Sequence, residues 1–265
     1  MHRFLVESNL LERDIPVLPK DSARHFKVLR PEEGERFELF DGKGAWRIYA
    51  YAKGALAADG AICREERGTR PAVTLFACVT KGSRWDWTIE KATELGVTRI
   101  VPVISDRTIV RVSADEREAK RERWTRIAED AARQSDAKWI PEILAPVTFR
   151  ESLALVAETD CFVGALTSPQ PRPILAEFAE FSREGAAKDG GVSVYVGPEG
   201  DFTPDELAAL LEVARPVSLG PTILRAETAA IFAVGAIVAA IQAHGRAFSK
   251  TSEIIASNPP RAAIR

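Results

Sequence analysis

Two glycine-containing segments in the second half of the sequence combine residue types that suit ligand binding. The first is Gly-Pro-Glu-Gly at residues 197–200, which lies between an apolar strand pattern and a helix start. Loops at the carboxyl ends of parallel strands leave backbone N–H and C=O groups free, and glycine lets a ligand approach them closely. The segment therefore predicts a ligand site, although a plain tight turn is compatible with the same four residues.

The second segment, residues 218–230, passes from a short strand through a Gly-Pro pair to the start of a long apolar helix. Arg225, Glu227 and Thr228 lie at that helix start. An acidic residue there is favoured by the helix macrodipole, so Glu227 and Thr228 also fit a structural role. A cation near a helix N-terminus is disfavoured, and this placement indicates that Arg225 is functional.

Strands and helices alternate from Ala72 onward, and these elements must position both segments. Strands are predicted from apolar runs at 72–80, 99–104, 160–166, 191–196 and 216–219, and helices at 84–95, 115–135, after 203 and at 229–241. The last three strands have the continuous apolar character of buried parallel strands. Thr203 with Glu206 forms a capping box at one helix start, and Ser113 with Glu116 forms another. This rhythm predicts an α/β domain.

The first 68 residues have a β-rich pattern instead. Residues 36–40 and 46–51 alternate between polar and apolar types around a glycine-containing turn, which predicts a hairpin within a small barrel or sheet. A basic helix is expected at 20–30, with Lys20, Arg24 and Lys27 on one face. That face predicts either a local RNA contact or an ordinary solvated surface. The polar run 64–71 marks the predicted domain boundary.

Composition excludes several classes of protein. The 265 residues are 46% hydrophobic, which is enough for a real core, and the three cysteines and three histidines have neither disulfide-framework nor metal-ligand spacing. A net charge of -2 counts against a nonspecific nucleic-acid coat protein. The first residues lack a secretory signal, and the apolar run 229–241 is expected to be too short to span a membrane. We expect a cytoplasmic protein with no metal and no membrane role.

Several short motifs follow one another along nearly the whole chain. They are His25 with residues 28–30 and 40–42, then 81–87 with 91–97, then 197–200, then 219–220 with 223–229. In this order they resemble the RsmE family, the ribosomal RNA uridine-N3 methyltransferases of the SPOUT superfamily. One position departs from the family pattern, which often has a second glycine where this chain has Asp201.

The resemblance implies both a fold and an activity. The expected fold is a SPOUT-type α/β domain at 72–247, a trefoil-knotted parallel sheet, preceded by a small PUA-like β-barrel RNA-binding domain at 1–68. The residues after about 247 match none of the motifs, and their Asn-Pro-Pro at 258–260 predicts a mobile tail at 248–265. The expected cofactor is S-adenosylmethionine, bent within the knotted loops. The expected reaction is methylation at N3 of a specific uridine in 16S ribosomal RNA, within the small subunit, by a homodimer.

The resemblance also assigns site residues. The cofactor surroundings are expected at Gly197, Glu199, Gly200, Leu219, Gly220, Ile223, Leu224 and Arg225, with Leu166 and Thr167 added because they end the preceding strand. Catalysis is expected from Arg225, which would stabilise negative charge on the uracil carbonyls, and from Glu227, which would accept the N3 proton or orient Arg225. RNA contacts are expected at Arg24, His25, Arg30, Lys81 and Arg84, the last two at a strand-to-helix turn suited to phosphate.

Three other functions fit parts of the sequence. A SPOUT methyltransferase acting on another RNA, such as transfer RNA, would share the fold but carry other residues at the Leu-Arg-Ala-Glu-Thr element. A non-catalytic RNA-binding ribosome assembly factor would keep the fold, and the intact glycines and Arg225 weigh against it. A nicotinamide dehydrogenase would need a GxGxxG motif after the first strand of the α/β domain, which this chain lacks there.

Overall fold

The N-terminal part of the chain forms a five-stranded sheet. The computed structural model describes residues 1–66, 72–165, 167, 169–184 and 191–244, without the side chains of 182–184 and 244. The strands of this sheet are β1 (His2–Leu5), β2 (Arg36–Phe40), β3 (Ala45–Ala52), β4 (Ala55–Ala58) and β5 (Cys63–Arg64). They run in the order β1-β2-β3-β4, and β5 also pairs with β3. The antiparallel β2–β3 pair confirms the predicted hairpin.

Two helices accompany this sheet, α1 (Ser8–Leu11) and α2 (Lys20–Leu29). The second confirms the predicted basic helix. Its Phe26 packs edge-on against the rings of Phe37 and Tyr51, with centroid distances of 5.0 and 5.8 Å. The partly buried side chains of Phe26 and Leu29 therefore hold a helix whose other face, including Arg24 and Lys27, is exposed.

The second sheet is entirely parallel. Its strands are β6 (Val73–Cys78), β7 (Arg99–Ile104), β8 (Glu142–Ile143), β9 (Val147–Thr148), β10 (Asp160–Gly164), β11 (Val192–Val196) and β12 (Ala214–Val217). They run in the order β12-β10-β11-β6-β7-β8, with β9 also on β7. Every pairing is parallel, as predicted, so the carboxyl ends of these strands meet at one edge.

Helices cover both faces of the parallel sheet. They are α3 (Ser83–Glu94), α4 (Arg117–Gln134), α5 (Phe149–Val156), α6 (Ile174–Glu184), α7 (Pro204–Leu211) and α8 (Ala226–His244). Successive residues of β6 show why the strands are apolar throughout. Leu75 belongs to the core cluster that includes residues of α3, α4, α6 and α8, whereas Phe76 belongs to the cluster that includes residues of α5 and α7. A strand buried on both faces needs apolar residues at successive positions.

Helix α8 is longer than the apolar run that predicted it. It spans 19 residues, because Ala226-Glu227-Thr228 and the residues after Ile241 extend the helix beyond the run. The expectation that it is too short to span a membrane is therefore wrong by length and composition. However, half of its apolar stretch Ala226–Ala243 is buried in the protein, and Ala233, Val234 and Ile237 are inaccessible to solvent in the core. The helix is thus a central element of the packed α/β layer.

A buried ion-pair network joins the N-terminal sheet to the end of α4. Arg3 on β1 pairs with Glu38 on β2 at 2.8 Å and donates to the carbonyl oxygens of Ala132 and Ala137 just around the end of α4. Lys138 also pairs with Glu38, at 2.6 Å. A cation at a helix C-terminus is favoured by the macrodipole, so Arg3 fixes the N-terminal sheet to the end of α4.

Candidate functional site

The loops after β10 and β12 lie against each other at the carboxyl edge of the parallel sheet. The Ser218 N–H donates to the Arg172 carbonyl at 2.8 Å, and the Ile174 N–H donates to the Ser218 carbonyl at 3.1 Å. Gly164, the last residue of β10, approaches so closely that a Cβ atom there would lie 2.8 Å from Leu219 Cδ1. The two loops therefore form one surface, to which β11 contributes the next loop.

The Gly-Pro-Glu-Gly loop follows β11 at the same edge. Its turn closes through the Asp201 N–H, which donates to the Pro198 carbonyl at 3.0 Å. Asp201 takes a left-handed backbone conformation with φ of 57°, and its Oδ1 accepts a hydrogen bond from the Phe202 N–H at 2.8 Å. Aspartate tolerates this conformation better than most side chains, so the departure from the family glycine preserves the turn.

The predicted capping box at the start of α7 is confirmed, and it also links two loops. Thr203 Oγ1 accepts from the Glu206 N–H, and Glu206 Oε2 accepts from the Thr203 N–H. The other carboxylate oxygen of the buried Glu206 accepts a hydrogen bond from the Asp106 N–H at 2.9 Å. One helix cap therefore fixes the loop after β7 beside the loop after β11.

Arg107 is a contributor that sequence reasoning missed. It lies in the loop after β7, and its Nη1 donates to the carbonyl oxygens of Gly200 at 2.7 Å and Phe202 at 3.1 Å. These bonds restrain the end of the Gly-Pro-Glu-Gly loop and the residues that follow it. The only sequence signal was the position of Arg107 just beyond a parallel strand, in a segment that matched none of the motifs.

Two acidic residues from different loops meet one arginine. Arg84, in the first turn of α3, lies 3.2 Å from Glu199 Oε1 through Nη1 and 3.9 Å from Glu227 Oε1 through Nε. The Glu227 side chain is 9% exposed, and its Oε2 is buried without a hydrogen-bond partner among the residues that the structure describes. Thr80 Oγ1, just after β6, is also buried without a hydrogen-bond partner among the described residues.

The remaining predicted cofactor residues surround the loop after β12. Leu219 and Leu224 pack against the core, whereas Ile223 is 82% exposed and Arg225 is exposed at the start of α8. Gly220 has φ of 140°, a backbone conformation that side chains rarely adopt. In the loop after β10, the Thr167 hydroxyl donates to the Pro169 carbonyl at 3.2 Å, and Leu166 lies outside the described residues.

The predicted RNA-binding residues fall into two groups. Arg24, His25 and Arg30 are exposed on or just after α2, which packs on the N-terminal sheet. Lys81 is exposed beside the carboxyl-edge loops, and Arg84 is half-exposed there but engaged with Glu199 and Glu227. The structure therefore brings only the second group next to the predicted cofactor residues.

The groups beneath the loops are held in their neutral forms. Burial raises the pKa of the Cys78 thiol to about 12, although hydrogen bonds from Ser105 and Thr108 oppose the shift. Burial likewise raises the pKa of Tyr195 well above its ordinary value. Neither Cys78 nor Tyr195 is therefore an ionised nucleophile near neutral pH.

Comparison with known proteins defines the class. A family model described as an RNA methyltransferase domain matches residues 68–238, which include the whole parallel sheet. A crystal structure of a ribosomal RNA small subunit methyltransferase E from Neisseria gonorrhoeae, bound to S-adenosyl methionine, superposes with a TM-score of 0.71 at 30% identity, covering 94% of this chain and 98% of that one. A putative methyltransferase from Legionella pneumophila, in complex with S-adenosylmethionine, superposes with a TM-score of 0.71 at 27% identity, covering 84% and 90%. The chain therefore carries an RNA methyltransferase domain.

Sequence relatives give the particular family. The ribosomal RNA small subunit methyltransferase E of Synechocystis is 33% identical over 220 residues, which are 82% of this chain and 70% of the relative. The enzyme of that name from Mycobacterium bovis is 30% identical over 228 residues, 84% of this chain and 86% of the relative. The chain belongs to the ribosomal RNA small subunit methyltransferase E family, and the resemblance drawn from its motifs is confirmed.

Proposed function

We propose that this protein transfers the methyl group of S-adenosylmethionine to N3 of a specific uridine in the 16S ribosomal RNA of the small subunit. The observation that carries the proposal is the meeting of the loops after β10, β11 and β12 at one edge of the sheet. Glu227, an acidic side chain that is buried with one oxygen free, follows the last of these loops. Membership of the family and the two solved relatives with bound cofactor support it.

The loops fit a cofactor that is recognised largely by backbone groups. Gly197 and Gly200 have no side chain to shield the backbone, and Gly220 is exposed with open space where a Cβ would lie. We assign the cofactor surroundings to the residues named by the motifs, which are Leu166, Thr167, Gly197, Glu199, Gly200, Leu219, Gly220, Ile223, Leu224 and Arg225. S-adenosylmethionine supplies an electrophilic methyl group on a sulfonium.

Glu227 and Arg225 divide the remaining chemistry between them. Uracil N3 is a weak nucleophile until its proton is lost, and the free Glu227 Oε2 is an acceptor for that proton. As the proton leaves, negative charge spreads onto the uracil carbonyls, and the exposed Arg225 guanidinium offsets it. N3 then bonds to the methyl carbon while the electron pair of the broken carbon–sulfur bond stays on sulfur.

The domain division, the knot and the oligomeric state are part of the same proposal. We divide the chain into a PUA-like β-barrel RNA-binding domain at 1–68, a SPOUT methyltransferase domain with a trefoil knot at 72–247, and a tail at 248–265. The pairing of Pro173 with Ser218 supports the knot, because a knot formed by the loops after β10 and β12 would require them to lie side by side. Exposed basic side chains on α2 support RNA binding by the first domain. We also propose that the protein is a cytoplasmic homodimer, as the family resemblance implies.

The experiment that tests the function offers three RNA substrates to the protein. Labelled S-adenosylmethionine is supplied with small-subunit particles lacking the modification, with large-subunit particles and with transfer RNA, and cofactor binding is measured separately by calorimetry. We expect transfer only to the small-subunit particles. Transfer to transfer RNA alone would favour the other SPOUT substrate class, and cofactor binding without transfer to any RNA would favour a non-catalytic assembly factor.

A further inference from the structure

We propose that Arg84 is a positioning residue, which couples the Gly-Pro-Glu-Gly loop to Glu227 and holds the free oxygen of Glu227 for the reaction. This inference rests on the proposed function. Its basis is one guanidinium between two carboxylates from different loops, at 3.2 Å from Glu199 and 3.9 Å from Glu227. The motifs gave Arg84 only as an RNA contact, and the geometry points to a different role.

The position of Arg84 has an electrostatic cost that its partners offset. Arg84 lies in the first turn of the 12-residue helix α3, where the macrodipole disfavours a cation. The Glu199 and Glu227 carboxylates stabilise it there, one from the loop after β11 and one from the first turn of α8. Arg84 therefore links the first turn of α3, the loop after β11 and the first turn of α8, each of which follows a different strand of the parallel sheet.

The contact also orients Glu227. A buried carboxylate is costly unless it is paired, and among the residues that the structure describes Arg84 is the cation that lies against Glu227. Arg84 lies 3.9 Å from Oε1, whereas Oε2 is buried with no hydrogen-bond partner among the described residues. Loss of Arg84 would remove the restraint on Oε1 and allow the carboxylate to turn. The arrangement keeps Oε2 in one place, as positioned proton transfer requires.

Phosphate binding fits Arg84 less well than this role. Its single positive charge lies between two negative charges, so the three side chains together are net negative. A phosphate contact would have to displace at least one carboxylate and meet the repulsion of the other. The neighbouring Lys81 is exposed and lies beside the same loops, and no described ion pair engages it. We therefore leave the phosphate contact to Lys81 and assign Arg84 to positioning.

The test compares Arg84→Gln, Arg84→Lys, Lys81→Gln and the wild-type chain. Arg99→Gln is the matched control, because it removes an exposed Arg–Glu pair of 2.8 Å at the amino end of β7, away from the loops. Three quantities are measured: the Kd of S-adenosylmethionine without RNA, the single-turnover methyl-transfer rate, and the KM for small-subunit particles at two salt concentrations. Unfolding midpoints show whether each variant is folded.

We expect Arg84→Gln to lower the single-turnover rate by at least about tenfold and to weaken cofactor binding, with the KM for particles within about twofold of wild type. Arg84→Lys should recover part of the rate, since a lysine reaches one carboxylate but does not bridge both. Lys81→Gln should raise the KM and reduce its salt dependence, with cofactor Kd unchanged.

Two results would overturn the inference. An Arg84→Gln protein with a normal rate and cofactor Kd but a raised, less salt-dependent KM would make Arg84 a phosphate contact. A protein unchanged in all three quantities would make it a surface residue. If the wild-type chain transferred no methyl group, the proposed function would fail, and the cofactor Kd of Arg84→Gln would still decide whether Arg84 supports the cofactor loop.

Discussion

Replacing Gly164 by alanine would place a methyl group directly against the loop after β12. The added Cβ would lie 2.8 Å from Leu219 Cδ1 and 3.3 Å from Leu219 Cγ. Carbon atoms prefer separations of about 3.5–4.0 Å, so Leu219 has to move by roughly 1 Å. Leu219 packs partly against the core and is joined to Gly220, so the displacement reaches the predicted cofactor surface.

The cost of this displacement sets the expected effect. Overpacking of a filled site costs typically about 1–3 kcal/mol, and the lower half of that range applies because the end of a leucine side chain can rotate. Without the cofactor, the loop after β12 can shift to relieve part of the clash, whereas binding holds that loop in place. A penalty of about 1.4 kcal/mol that is present only in the bound state corresponds to a tenfold loss of affinity. We therefore expect the Kd for S-adenosylmethionine to rise about tenfold in Gly164→Ala, with a loss of unfolding free energy below about 2 kcal/mol.

Calorimetric titration with the cofactor, alongside urea unfolding, measures both quantities. Gly235→Ala is the matched control: the same methyl group is added inside helix α8, where its Cβ would lie 3.7 Å from Leu95. That distance is an ordinary contact, and alanine in a helix interior is favoured over glycine by about 1 kcal/mol. The control should bind the cofactor normally. Normal binding by a folded Gly164→Ala protein would refute the idea that the approach of these two loops shapes the cofactor site.

Three further predictions concern catalysis, folding and thiol chemistry. Glu227→Gln should lower the single-turnover rate by about 10²–10⁴-fold with cofactor Kd unchanged, and near-normal turnover would exclude Glu227 as the base. Glu38→Ala leaves two cations without their shared buried carboxylate and should cost about 3 kcal/mol in urea unfolding. A loss under about 1 kcal/mol would show that the network does not hold the N-terminal sheet to α4. Iodoacetamide at pH 8 should alkylate only Cys63 in the folded protein, because Cys78 and Cys161 are buried and burial raises the pKa of Cys78 to about 12. Labelling of Cys78 at the same rate as Cys63, measured by mass spectrometry, would contradict this.

Elements set by local patterns were predictable from the sequence. The strand at 99–104, the hairpin at 36–51 and the start of α7 at Thr203 all follow from periodicity, turn residues or a capping box within a few positions. The capping box of Ser113 is present too, but it caps a short 3-10 turn, and α4 begins at Arg117. Helix ends depend on packing as well as on caps, so such boundaries are the less predictable part.

Contacts between distant segments could not be read from local patterns. Asp106 and Glu206 meet across 100 positions, and Arg3 reaches the end of α4 across 129 positions. Nothing near Arg107 in the sequence indicates that it binds the carbonyls of the Gly-Pro-Glu-Gly loop, since that contact exists only once β7 and β11 are placed in one sheet. The motif resemblance named the loops of the site, and the fold supplies the side chains that hold them.

The measurement that tests the central claim most directly is the identity of the methylated atom. Small-subunit particles lacking the modification are incubated with the protein and S-adenosylmethionine carrying a deuterated methyl group, and the digested nucleosides are separated beside an N3-methyluridine standard and weighed by mass spectrometry. We predict that the label appears in N3-methyluridine at one position of the small-subunit RNA. Label in any other nucleoside, or no label despite cofactor binding, would contradict the account.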